Sequence, residues 1–150
     1  MRVVVISADL EKAQDPGAVA TVLQELGCRV TLGRFDLGGL DLEEVAQKPP
    51  TVVVGEAGED VARAQRTIKR LRDDGPLVEV PILLAVAVGR LPALDFSIGF
   101  DDFVLIPIVP AELYARMRQL DWRTATFTND DVLKIDDLVI GLRVTEESER

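Results

Sequence analysis

Residues 100–120 read FDDFVLIPIVPAELYARMRQL. Two aspartates lead into an apolar run, Phe103–Ile106, that stops at Pro107. After Pro110 the pattern turns amphipathic, with Leu113, Met117 and Leu120 at helical spacing. Strand, proline and helix form one α/β unit. Such units gather their chemistry at the carboxyl ends of strands, so an isoleucine at Ile106 raises a question.

The same unit recurs upstream. Val3–Ile6 is an apolar, β-branched run suited to a strand buried on both faces. Asp15-Pro16 predicts a helix start, Val19, Val22, Leu23 and Leu26 form its apolar stripe, and Gly27 closes it. Cys28–Leu32 is the second strand. Asp41 and Glu44 have capping-box spacing for a short helix. Thr51–Val54 is the third strand. A helix over 59–73 carries Val61, Ala64, Ile68 and Leu71 on one face and charge on the other. Pro81–Val88 is the fourth strand. Leu91–Ile98 forms a weak, proline-containing fourth helix, and the fifth follows Pro110. This alternation predicts an α/β fold: a flavodoxin-like, doubly wound, five-stranded parallel sheet. Residues 1–120 make this domain, 121–131 a polar linker, and 132–150 a strand-rich tail able to pair as a hairpin.

Composition narrows the function. The 150 residues carry a net charge of −9 and no histidine. Strong acidity argues against a nucleic-acid surface on this chain, and the missing histidine removes the commonest general base and zinc ligand. Cys28 is alone, so no internal disulfide forms, which suits a reducing cytoplasm. No apolar run reaches the length of a membrane span. The loop SADLEKAQDPG lacks a dinucleotide fingerprint. No cofactor, metal or enzymatic activity is expected.

The pattern GFDDFV-x-x-P-x-x-P-x-EL-x-AR-x-R-x-L, with the strand order before it, resembles the receiver domain of two-component response regulators. The resemblance covers about residues 1–120. The tail DDVLKIDDLVIGLRVT resembles the first strands of the winged-helix domain in OmpR-type regulators. An active receiver carries two metal-binding acids after the first strand, a phosphoryl-accepting aspartate after the third, a hydroxyl after the fourth and a lysine before the last proline. The matching positions here are Ser7 and Ala8, Gly55, Val86 and Ile106. The resemblance therefore implies a pseudo-receiver, and Ile106 stands where no phosphoryl charge needs a lysine. A stranded lysine would also be costly to desolvate there.

Asp9 and Glu56, one position beyond the matched sites, are read as solvated loop carboxylates. Arg63, Arg66, Lys69, Arg70 and Arg72 are read as a solvated helix face. The resemblance further implies a homodimer through helix four, strand five and helix five. The positions carried over are Asp101, Asp102, Glu112, Arg116 and Arg123. Asp102 would meet Arg116 of the partner and Asp101 would meet Arg123, while Glu112 has Arg90 as its candidate. Phe103 matches the family's aromatic switch residue and is read as core. DNA would be contacted only through a C-terminal domain absent from this chain, and no membrane is expected. The alternatives are a stand-alone protein-interaction module and a small-ligand-binding α/β domain.

Overall fold

A computed structural model describes residues 1–73, 75 and 77–136, with side chains followed to Thr124. Five strands, β1 (Arg2–Ser7), β2 (Arg29–Arg34), β3 (Val52–Gly58), β4 (Ile82–Ala87) and β5 (Asp102–Ile106), form one parallel sheet in the order β2-β1-β3-β4-β5. Among the described residues four α-helices accompany it: α1 (Val19–Glu25), α2 (Leu42–Gln47), α3 (Val61–Asp73) and α4 (Pro110–Asp136). Each expected strand is present, within a few residues of its expected bounds.

The continuous apolar runs of the central strands serve two cores at once, because successive side chains point to opposite faces. Val3, Val5, Val52, Val54, Leu83 and Ala85 face α1 and α4, where Leu113, Met117 and Leu120 seal the layer. Val4, Ile6, Val53, Ile82, Leu84 and Val86 face α3, which adds Val61, Ala64, Ile68 and Leu71. Leu113 and Met117 are fully buried. Burying a side chain of that size contributes about 1.5–3 kcal/mol, so the stripe read at 113, 117 and 120 is what docks α4.

Local signals account for some boundaries. Asp41 caps α2 by accepting the Glu43 and Glu44 N–H groups, as the capping-box spacing predicts. Asp60 receives the Arg63 N–H at the start of α3. Asp15-Pro16 instead begins a turn: the Ala18 N–H donates to the Asp15 carbonyl, Gly17 has φ +85°, and α1 starts only at Val19.

Two expectations about helices are corrected. Between β4 and β5 there is a 3₁₀ stretch, Val88–Ala93, and no α-helix; Pro92 cannot donate a backbone hydrogen bond and the segment buries no side chain. The predicted break after Leu120 does not occur. α4 runs unbroken to Asp136, so 121–131 is helix rather than an irregular linker, as are residues 132–136 of the expected strand-rich tail. DWRTATFTNDD contains neither Gly nor Pro, so polarity alone did not stop the helix. The expected hairpin falls largely on 137–150, outside the described residues.

Candidate functional site

The carboxyl ends of β1, β3, β4 and β5 form the mouth where receiver chemistry would lie. Ser7 ends β1 and is buried, while Ala8 beyond it is exposed. Gly55 is buried within β3, and a Cβ built there would lie 3.2 Å from Leu84 Cδ1, on the α3 side of the sheet. Val86 is fully buried in the α3-side core. Ile106 ends β5 and packs, partly exposed, against the α1/α4 core. Gly55 and Val86 thus turn away from Ser7 and Ile106, and the positions matched by sequence do not converge on one pocket.

The carboxylate at this mouth belongs to Glu56. It is the direct neighbour of Ser7 across the β1–β3 ladder, and its Oε2 accepts the Val19 N–H at 3.0 Å, capping α1 from another element. Glu56 is therefore no solvated loop group but a part-buried strand residue committed to a helix entrance. Strand alternation could have revealed this: Val52, Val54 and residue 56 share one face, and residue 55 shares the other with Val53. Asp9 is likewise occupied, receiving the Glu11 and Lys12 N–H groups at 2.9 and 3.3 Å. Among the described residues no group of three or more His, Cys, Asp or Glu side chains is placed to hold a metal.

The second candidate region flanks β5, an edge strand. Asp102 accepts from Arg116 Nη1 at 3.1 and 3.2 Å, and Arg116 Nη2 donates to Glu112 at 3.3 Å. Hydrogen bonding to Asp102 outweighs partial burial and raises the Arg116 guanidinium above its ordinary value. Arg116 Nε is buried and has no acceptor. Asp101 points the other way: its Oδ2 accepts from Arg72 Nη2 at 2.6 Å and from the Ile82 N–H at 2.8 Å. Arg123 is exposed on α4. Arg90 pairs with Glu59 at 2.8 Å rather than with Glu112. Within one chain, Asp101, Asp102, Glu112 and Arg116 thus already have partners.

Arg72 lies on the helix face expected to be solvated, yet it is partly buried and fully engaged. Besides Asp101, it donates to the carbonyls of Gly99, Val78 and Val80 at 2.8–3.0 Å. No local sequence signal separates it from Arg70 two residues earlier. Phe103 is only partly buried and stands in an aromatic cluster. Phe96, 69% exposed, lies 5.6 Å from Phe100 and 6.3 Å from Phe103 between ring centroids.

A five-stranded parallel sheet in this order, with helices on both faces, defines the receiver-like class of the doubly wound folds. The family described as "Transcription regulator GlnR, N-terminal domain" matches residues 1–120, and the chain belongs to it. A response regulator receiver domain protein from Clostridium thermocellum superposes with a TM-score of 0.66 at 12% identity, over 84% of this chain and 98% of that one. NtrX from Brucella abortus, solved in complex with ADP, gives a TM-score of 0.70 at 14% identity, over 98% of this chain and 32% of NtrX. At such identities the likeness concerns the fold. The probable transcriptional regulatory protein SilR of Salmonella typhimurium is 35% identical over 77 residues, which are 50% of this chain and 33% of SilR. The match therefore spans about a third of that relative's length.

Among the described residues no helix is long and apolar enough to cross a membrane.

Proposed function

We propose that this chain is a pseudo-receiver: a regulatory module of a transcription regulator that works without taking up a phosphoryl group. The observation that carries the reading is the mouth of the sheet. Ser7, Ala8, Gly55, Val86 and Ile106 supply no metal-binding acid, no acceptor carboxylate and no lysine, the hydroxyl position after β4 is Val86, and Glu56 is spent on the α1 entrance. Phosphoryl transfer depends on a metal and cations to offset developing negative charge, and neither is provided here. The module binds and transmits rather than catalyses. Its OmpR-type assignment rests on the charge set at 101–123. DNA contact would fall to a further domain, in a cytoplasmic setting.

The output we propose is a homodimer through β5, the start of α4 and the 88–100 segment. The edge of β5 and the exposed Val88, Phe96 and Val109 offer apolar surface, and Arg116 Nε lacks an acceptor. Exchanging the Arg116–Asp102 pair across a two-fold axis replaces like with like. It would set register, while the apolar residues drive association.

Incubation with acetyl phosphate and magnesium, followed by intact-mass measurement, tests the first half. Beryllofluoride with ¹⁹F NMR provides a second readout. Wild type and Gly55→Asp are both expected to stay unmodified, because a lone carboxylate at 55 meets Leu84 and lacks the metal. A phosphoryl adduct on Glu56 or Asp9 would overturn the reading.

A further inference from the structure

The opposite, amino end of the sheet holds a feature that no receiver-type role uses. Arg2 on β1 and Arg29 on β2 lie directly across from each other in the parallel ladder, and the Arg29 N–H donates to the Met1 carbonyl at 2.9 Å. Both are exposed and line an open surface cleft of about 190 Å³, together with the exposed Lys48 just after α2, Thr31 and Glu44; buried Val45 lies in its wall. Like charges held side by side on neighbouring strands repel, modestly at exposed positions. Among the described residues none of the three cations has an ion-pair partner, Glu44 included. Three cations against one carboxylate leave the cavity at a net +2, in a chain of net −9.

We propose that this cavity binds a small dianion, either phosphate or a short dicarboxylate. Two adjacent guanidinium forks suit bidentate recognition of paired oxygens, and Lys48 adds a point charge from a different element. About 190 Å³ is room enough for a small dianion and falls below the roughly 300 Å³ at which pockets for drug-sized molecules begin. Bound anion would relieve the Arg2–Arg29 repulsion and tie β2, the edge strand, to the end of α2. It would therefore stabilise the fold and provide an input that needs no covalent chemistry. The competing explanation is that Arg29 on the edge strand β2, with its cationic neighbours, merely discourages edge-to-edge pairing. That role predicts no preference among anions.

Titration with sodium phosphate, sodium succinate and sodium chloride at matched ionic strength separates the two. The readouts are the backbone amide shifts of Thr31 and Val45 and the thermal midpoint. A saturable response to phosphate or to succinate, absent with chloride, is expected, and the stronger of the two identifies the anion class. Arg2→Gln/Arg29→Gln should weaken binding by about tenfold or more. It should also match or exceed the wild-type thermal midpoint without anion, because the repulsion is gone. Lys48→Gln, on a separate element, should weaken binding about threefold, and Glu44→Gln should tighten it by a similar factor. A linear response equal to that of chloride, or saturable binding unchanged in the double variant, overturns the proposal.

Discussion

On one side of β5, the exposed Asp101 accepts from Arg72 and the Ile82 N–H, and Arg72 also gathers three carbonyls from Val78, Val80 and Gly99. On the other side, Asp102 meets Arg116 at longer distances, Glu112 shares that arginine, and one guanidinium N–H is left without an acceptor. The Arg72 side chain is 21% exposed and that of Arg116 is 38% exposed. The aspartates are adjacent in sequence and alternate across the strand. One arginine joins two backbone segments, 78–80 and 99–101, and leaves little freedom, while the other sits in a loose triad that a second chain can rearrange. The first is therefore part of the architecture, and the second is the place to look for regulation.

The largest expected effect breaks the rigid side. Arg72→Ala leaves three carbonyls without their arginine donor and Asp101 with only the Ile82 N–H, and should lower stability by about 2–4 kcal/mol. Urea unfolding measures it. A loss below about 0.5 kcal/mol would show that water replaces Arg72 freely. Arg116→Ala should cost less, about 1 kcal/mol, because only the long contacts to Asp102 and Glu112 are removed and no backbone carbonyl loses a donor. Double-mutant cycles sharpen the contrast: the Arg72/Asp101 coupling should exceed the Arg116/Asp102 coupling by a factor of about two or more.

The next effect concerns association. In the proposed dimer a two-fold axis repeats each contact, so Arg116→Glu sets two like-charge contacts against Asp102. At up to ~1 kcal/mol each, these weaken a dimer by about tenfold or more. Sedimentation velocity should show dissociation in the single variant and recovery in Asp102→Arg/Arg116→Glu. Arg72→Ala, compared at concentrations where it remains folded, should leave the dimer constant unchanged. A wild type that stays monomeric at high micromolar concentration would remove the regulatory half of the comparison.

The smallest effect lies in the loop before β5. The Ser97 hydroxyl, then the Ser97 N–H, hold the Asp95 carboxylate below its ordinary 3.8. A carboxylate whose folded value is depressed contributes stability above its unfolded value and loses it as pH falls through the folded one. Ser97→Ala should therefore flatten a slight loss of thermal stability below that ordinary value, read by melts across the acid range. Asp95 is fully exposed, so the change should be near the limit of measurement.

Much of the fold was legible in one dimension because it depends on short-range patterning. Apolar, β-branched runs fit only strands buried on both faces, and the 113, 117, 120 stripe could dock only one way. The absence of acids and lysine at the matched positions is also plain in the sequence. Helix continuation past Leu120 is hidden because polar composition reads as a linker although no breaker residue interrupts it. The weak fourth helix was legible as weak, yet its collapse to a 3₁₀ stretch depended on packing.

By itself the sequence determined the parallel α/β architecture, the two apolar layers and the chemical character of residues at the strand ends, since these follow from residue type and period. Tertiary structure alone decided which carboxylate faces the mouth, that Asp101 and Asp102 serve opposite sides of β5, that Arg72 is structural and that Arg2, Arg29 and Lys48 converge. Each depends on which distant segments the sheet brings together. A one-residue shift along a strand reverses the direction of a side chain, and no local pattern records what waits on the far side.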